Sequence, residues 1–397
     1  MLKKNSRIIY VGAFRFPNGD AASQRVLNNA KIFKHLGYIV EFISWGGNSR
    51  EIDKSCDGFY YYEGFRYLNT FEIDNSSLNP LKRLINFFFR GKTSLRILLN
   101  SIDKTNIIIV YNPSLFFTKK IVSLCKRHGV KFISDITEWY ASNELPGGRY
   151  ALPFWISEIN MRLIQKKIKT KIVISNFLNT YYKNSHNIII PPLVDPAEQK
   201  WTSNKRVLPE FDGTRFIYAG SPGNKDLLET IIESVIHCLN KKLKIQFIIL
   251  GVSYKDIKNY KCYNHLANWR ENILLLGLIS HEVVPSYYHG SDFSIIIRKN
   301  SRKNNAGFPT KLVESLVSGC PVIANLTSDI SKYIIDGKNG YVLSEFSACI
   351  LIEVIKKVSE LSTTEKKKLK TQAYIDGKKY FSYREYINEM NVFLNNK

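Results

Sequence analysis

Short β-branched runs alternate with amphipathic helical stretches along the whole chain, and few folds tolerate that pattern. The first series is Arg7–Ala13, Val40–Ser44, Asn106–Tyr111, Lys131–Asp135, Lys171–Ser175 and Asn187–Ile190. The second is Arg215–Ala219, Ile245–Gly251, Asn272–Leu276, Asp292–Arg298, Cys320–Asn325 and Gly340–Leu343. Apolar strands without polar alternation, separated by helices, are what a parallel sheet covered on both faces requires. Between the series lies Ile190-Pro-Pro-Leu-Val-Asp-Pro196, whose prolines support neither helix nor central strand. The pattern predicts two doubly wound α/β domains joined near residue 192.

Helical periodicity agrees. Asp226–Asn240 sets Leu228, Ile231, Ile232, Val235 and Leu239 on one face, and Ala22–Leu36 gathers Val26, Leu27, Ala30 and Phe33 before Gly37, an expected C′ residue. At 397 residues the chain is long enough for two cores. No apolar run approaches the roughly 18–20 residues that span a bilayer. The N-terminal stretch has too short an apolar segment for a secretory signal. A cytoplasmic protein is expected. The six cysteines, Cys56, Cys125, Cys238, Cys262, Cys320 and Cys349, form no C-x-x-C pair, and the histidines show no ligand spacing, so no metal site is expected.

Charge is the outlier. Fifty-seven Lys and Arg against 34 Asp and Glu give +23. Residues 1–190 carry 28 basic and 13 acidic side chains, a net of +15, leaving 29 and 21, a net of +8, for the rest. Such a field attracts anionic lipid, nucleic acid or a phosphorylated substrate, although a bias toward Lys, Asn and Ile accounts for part of it.

Two segments carry recognisable chemistry. In Phe216-Ile-Tyr-Ala-Gly220-Ser221-Pro-Gly223-Asn-Lys225-Asp226, a strand runs through a glycine loop and a lysine into a helix, an arrangement that lets backbone approach a phosphate. The spacing is not that of a Walker A loop, and glycine turns also serve geometry alone, so both readings stay open for this segment by itself. In Asn305-Ala306-Gly307-Phe308-Pro309-Thr310-Lys311-Leu312-Val313-Glu314, Thr310 is the expected N-cap of a helix that ends at Gly319. The N–H groups of Lys311, Leu312 and Val313 would then be free for a diphosphate, with Glu314 able to reach ligand hydroxyls or simply to sit in the first turn.

Taken with Leu250-Gly251, Leu275-Leu-Gly277-Leu278-Ile279, Ser291-Asp292, Gly319-Cys-Pro-Val-Ile323 and Asp336-Gly-Lys-Asn-Gly340, these segments resemble, in order and over nearly the whole chain, the retaining family 4 glycosyltransferases of the GT-B fold, of bacterial surface-polysaccharide type. The resemblance implies two Rossmann-like domains facing a central cleft. An acceptor-binding domain would span 1–192, with a helical tail 381–397 packing back on it, and a nucleotide-sugar domain would span 193–380. It assigns catalytic work to Lys225 on the diphosphate and Glu314 on the ribose hydroxyls. Backbone around Leu312 and Val313 would hold phosphate, and Leu278 and Ile279 would read the nucleobase beside Gly251. Gly220, Ser221, Gly307, Phe308, Thr310 and Lys311 complete the expected donor site. Two departures stand out: the family's first glutamate is Ala306, and the arginine after the loop glycine is Ser221, with Arg298 or Lys299 as possible substitutes. No cofactor or metal is implied beyond the nucleoside diphosphate sugar itself.

In the first domain, Phe16-Pro-Asn-Gly-Asp20-Ala-Ala-Ser23-Gln-Arg25 resembles the family's acceptor loop, although Asp20 and Ser23 are also ordinary capping residues. Asp135 and Glu138 follow a strand and are candidate catalytic and acceptor-hydroxyl partners, either of which could instead cap a helix or pair with an arginine. The aromatic and basic stretch Leu81–Arg96, with Arg162, Lys166, Lys167, Lys169 and Lys171, suggests a peripheral patch for anionic lipid, against the alternative of a core helix with solvated lysines. The expected reaction is metal-independent, retaining transfer of a hexosyl-like group to a lipid-linked saccharide in lipopolysaccharide O-antigen, capsule or exopolysaccharide synthesis. The alternatives are a nucleotide-sugar epimerase of the same fold and a basic nucleic-acid-binding protein. No helix-turn-helix, zinc-finger, RNP or KH signature appears, and no nucleic-acid partner is expected.

Overall fold

The computed structural model describes residues 6–47, 55–73, 79–145, 147–202, 207–343 and 345–396. They form two compact units, Met1–Val194 with Tyr383–Lys397, and Asp195–Ser382.

The first unit contains β1 (Arg7–Phe16), β2 (Ile39–Gly47), β3 (Tyr60–Tyr62), β4 (Phe65–Asn69), β5 (Ile107–Tyr111), β6 (Lys131–Ile136), β7 (Thr170–Val173) and β8 (His186–Ile189). The sheet order is β3-β4-β2-β1-β5-β6-β7-β8, with only β3–β4 antiparallel. Order reverses between β1 and β5, and in open α/β sheets ligands bind outside the carboxyl ends of the strands at such a point. Adjacent residues of β1 serve opposite layers. Ile8 and Tyr10 join a core with α1 (Ala21–His35), while Ile9 and Val11 join one containing Leu98 of α3 (Lys92–Ser101) and Phe117 and Ile121 of α4 (Leu115–His128). Between β4 and β5 also lies α2 (Pro80–Phe89), and α5 (Leu152–Ile159) follows β6. The helix Ile387–Asn395 seats Met390, Phe393 and Leu394 in the α1-side core, where Lys131 Nζ donates to Leu394 O at 2.8 Å.

The β3–β4 hairpin is absent from the strand series predicted above. Its two-residue turn, Glu63 (φ 47°) and Gly64 (φ 74°), has the left-handed pair that matches strand twist. The aromatic runs flanking Glu-Gly were the available signal.

The second unit contains β9 (Thr214–Ala219), β10 (Ile245–Leu250), β11 (Ile273–Leu275), β12 (Phe293–Ile296), β13 (Val322–Asn325) and β14 (Gly340–Leu343), all parallel, in the order β11-β10-β9-β12-β13-β14. This is the doubly wound order of a dinucleotide-binding sheet, with its reversal between β9 and β12. Its helices include α6 (Leu228–Asn240), α7 (Thr310–Val317) and α8 (Thr363–Phe381). Two parallel-sheet Rossmann-like units in one chain match the architecture expected above.

Candidate functional site

The loops that leave the carboxyl ends of β9, β10 and β11 are tied through glycine backbone. Gly220 N–H donates to Leu250 O at 3.0 Å, Gly251 N–H to Gly277 O at 2.6 Å and Gly277 N–H to Val252 O at 3.1 Å. Gly251 has φ +81°, and a Cβ there would lie 3.0 Å from the backbone of Gly220. A side chain is thus excluded by conformation and by space. Beyond this tie Ser221 is exposed, Leu278 is 93% exposed and Ile279 is half-buried against the Leu208 and Ile248 cluster.

Beside these loops, at the reversal between β9 and β12, lies a buried charge cluster. Leu227 N–H bonds to Ile297 O at 2.9 Å, which brings Asp226 against Arg298. Arg298 Nε donates to Asp226 Oδ1 at 3.0 Å, and Lys311 Nζ ion-pairs with the other carboxylate oxygen while donating to Tyr218 Oη at 2.8 Å. Asn325 holds the Arg298 backbone through both its amide groups, at 2.9 and 2.7 Å. Burial alone would raise the Asp226 pKa, but Lys311 and Arg298 hold it below the usual carboxylate value. Burial pushes the Lys311 amine below an ordinary lysine, with Asp226 opposing. Two cations therefore share one carboxylate, and Arg298 Nη1 is buried with no hydrogen-bond partner. A buried guanidinium nitrogen left in this way is costly unless an acceptor arrives.

Two expectations are corrected here and one is extended. Asp226 is not in the first turn of α6, which begins at Leu228; it is the anion of this cluster. Lys311 contributes its side chain, which passes beneath Gly220, so that a Cβ on Gly220 would meet Lys311 Cε at 2.8 Å. The N-cap of α7 is Pro309, not Thr310, and Leu312 N–H bonds back to Pro309 O at 3.0 Å. The N–H groups of Thr310 and Lys311 have no partner among the described residues, so of the expected donors Lys311 is open and Leu312 is not, and Thr310 is open in addition.

Around this helix start, Gly307 O accepts from the Ser328 hydroxyl, and Ala306 is fully buried at the end of the short helix Arg302–Ala306. Phe308 packs edge-on against Tyr333 and Phe381 at 5.5 and 6.1 Å, so its ring is a core anchor and not a ligand contact. Leu312 and Val313 are buried. Glu314, one turn into α7, is half-buried and accepts no side-chain hydrogen bond among the described residues. Burial raises its pKa, with the charges of His281, Lys311 and Lys200 opposing. Lys225 lies in the loop, half-buried, with its carbonyl held by Asn304 Nδ2 at 3.2 Å.

The first unit departs further from expectation. Asp135 is fully buried, paired with Arg25 at 2.8 Å and hydrogen-bonded by Tyr10, while Arg25 also donates to Ile190 O and Pro191 O at 2.8 and 3.3 Å. With every polar atom engaged inside the core, this pair ties α1 and β6 to the chain leaving β8 and has nothing left for an acceptor. Asp20 and Ser23 form a reciprocal capping box at the start of α1, the Ser23 N–H donating to Asp20 Oδ1 at 2.8 Å, while Asp20 Oδ2 lies 3.7 Å from Arg15. Lys171 is fully buried against Ser185 Oγ at 2.6 Å and does not belong to a surface patch; its burial lowers its pKa to about 8. Glu138 lines a pocket in this unit. The side chains of Leu81–Leu84 lie outside the described residues.

Among the described residues no group of three or more His, Cys, Asp or Glu side chains is placed to hold a metal ion. No described helix is long and apolar enough to cross a membrane.

The second unit thus presents glycine loops, a helix start and an under-neutralised cation pair at the switch point of a doubly wound sheet. Residues 200–376, nearly all of that unit, match the family model of glycosyl transferases group 1. No curated protein matches the chain. Among solved structures, the chain is similar to sucrose-phosphate synthase from Thermosynechococcus elongatus (13% identity, 98% of each chain covered, TM-score 0.73). It is also similar to a glycosyltransferase from Rickettsia africae (17%, 100% of each, 0.68). A third is the Anabaena protein HepE in complex with UDP-glucose (11%, 98% of this chain and 99% of that one, 0.64). At these identities the likeness establishes the fold.

Proposed function

We propose that the protein is a retaining family 4 glycosyltransferase that moves a hexosyl-like group from a nucleoside diphosphate sugar to a hydroxyl of a lipid-linked saccharide. The reading rests above all on the cluster of Asp226, Lys311 and Arg298, where two buried cations share one carboxylate beside free helix N–H groups. A diphosphate arriving there supplies the acceptors that Arg298 Nη1 lacks, and this fixed positive environment stabilises it as it departs. Lys225 adds charge from the glycine loop, and Glu314 receives the ribose hydroxyls. Leu278 and Ile279 flank the base beside Gly251. With Ala306 in place of the family's first glutamate, contacts to the donor sugar come from other residues. The reaction needs no metal, because protein cations do the neutralising, and the leaving phosphate takes the acceptor proton on the front face.

Membrane association is supported by exposed apolar side chains on the first unit. Ile85 and Phe89 of α2 and Leu152, Trp155 and Ile159 of α5 are exposed, and both helices pack on α4. Arg162, on the segment that follows α5, is half-exposed and ion-paired with Glu158 at 2.7 Å. Large apolar groups next to cations suit a lipid interface, and a peripheral enzyme of O-antigen, capsule or exopolysaccharide assembly follows. The test is release of nucleoside diphosphate from a panel of nucleotide sugars in EDTA, with proton NMR of the anomeric centre formed. Metal-free release with retained configuration is expected. Release only on adding a divalent cation, or inversion, contradicts the proposal.

A further inference from the structure

We infer that the first unit contains a pocket for an apolar segment that carries a phosphate, with Arg90 as its anion-binding residue. The inference rests on the acceptor reading above and names the part of the acceptor this site would hold.

A pocket of about 170 Å³ opens where β5 ends, at the reversal of strand order, with Ala13 of β1 and Asn112 in its lining. Its walls are apolar: Trp45, Phe87, Leu115, Phe116, Ile156 and Met161. The polar groups among them are mostly spent. Asn112 exchanges hydrogen bonds with Thr137, accepting from its N–H at 2.9 Å and donating to its Oγ1 at 2.8 Å. Asn160 donates to Pro113 O at 2.7 Å, and Glu138 is hydrogen-bonded with Tyr140, whose pKa the Glu138 charge raises, with burial adding to it. A saccharide needs many open donors and acceptors, and this cavity does not offer them.

Arg90 is different. Its Nε is buried without a hydrogen-bond partner, it pairs with no carboxylate among the described residues, and its guanidinium lies 5.2 Å from the Phe87 ring centroid. Burial lowers its pKa, yet a guanidinium stays charged in proteins. A half-buried guanidinium whose Nε finds no acceptor gains from an anion that reaches it. The Ser114 side chain makes no cap bond at the start of α4, so that helix end adds partial positive charge on the same wall.

The volume, the share of five or six liquid waters at about 30 Å³ each, admits one short branched segment and not a long chain. The remainder of an amphiphile would lie over exposed Phe89, Phe116 and Trp155. The backbone is adapted locally: residues Asn160–Ile164 widen into a π turn, which carries Asn160 and Met161 into the wall, and such turns recur at functional sites.

The test is titration calorimetry of the full chain with geranyl phosphate, and with geraniol and inorganic phosphate as the separate halves. Wild type should bind geranyl phosphate at least tenfold more tightly than either half. Arg90→Gln should lose about tenfold, with Arg90→Lys recovering part. Ser157→Phe, which fills the pocket from α5 and leaves every charge in place, should abolish the preference over inorganic phosphate. Equal affinity for inorganic phosphate, or binding unchanged in both Arg90→Gln and Ser157→Phe, overturns the inference. If Arg90→Gln does not fold, Ser157→Phe decides. The same preparations are titrated with nucleoside diphosphates. Nucleotide binding without geranyl phosphate binding removes this pocket and leaves glycosyl transfer standing, and the opposite result does the reverse.

Discussion

Replacing Asp226 by Asn removes the one anion from a cluster whose three charged side chains are 4 to 15% exposed. The substitution keeps the shape and leaves Lys311 and Arg298 facing each other uncompensated. Breaking a buried pair from one side costs about 3–5 kcal/mol, because the stranded charge is the expense. For a unit of this size each kcal/mol moves the midpoint about 2–4 °C, so the transition of the second unit should fall by about 6–20 °C in scanning calorimetry. The Asp226 pKa is depressed in the fold, so its contribution is present above the unfolded value near 3.9 and lost as pH falls through the folded value. The gap between wild type and mutant should therefore close in acid. Adding Lys311→Met should restore part of the loss, with a coupling of about 0.5–3 kcal/mol. A mutant within about 0.5 kcal/mol of wild type at neutral pH, which is surface behaviour, refutes the cluster as described.

Other outcomes follow from the same structure. Gly251→Ala forces a Cβ to 3.0 Å from Gly220 at a left-handed φ, and should cost about 1–3 kcal/mol and weaken nucleotide-induced stabilisation, read by thermal shift. Asp135→Asn strands Arg25 inside the first unit, so a loss of about 3–5 kcal/mol is expected with nucleotide affinity unchanged, since the donor cluster lies in the other unit. Unchanged stability would return Asp135 to the acceptor. Lys171 has a depressed folded pKa of about 8, so between that pH and about 10.4 the unfolded chain holds the proton that the fold does not. Wild-type stability should gain up to about 3 kcal/mol across that window relative to Lys171→Met, measured by urea melts at stepped pH; parallel pH profiles would contradict the assignment.

The fold was legible because parallel sheets need unbroken apolar strands. Ile107–Tyr111 and Ile245–Leu250 are buried throughout and announce themselves, while the short hairpin Tyr60–Asn69 lies half-exposed at a sheet edge and does not. The glycine loop and the helix start at Pro309 were readable for the same local reason, with caps one residue uncertain. What could not be read was pairing at a distance. Asp226 and Lys311 are 85 positions apart, and Arg25 and Asp135 are 110 apart. A carboxylate after a strand looks the same in sequence whether it faces ligand, as expected for Asp135, or a buried arginine. Lys171 shows the same ambiguity, since exposed Lys169 lies only two positions before a lysine sealed against Ser185.

The central claim is that the second unit binds a nucleoside diphosphate through protein cations and Glu314. The direct measurement is a thermal-shift panel of UDP, GDP, dTDP, ADP and CMP with EDTA present, on wild type and Glu314→Ala. A ligand at 100-fold its dissociation constant adds about 2.7 kcal/mol if it binds only the folded state. The account predicts that one nucleoside diphosphate stabilises wild type by that order without metal, and that Glu314→Ala loses most of the gain. No stabilisation by any of them, or an undiminished gain in the mutant, contradicts it.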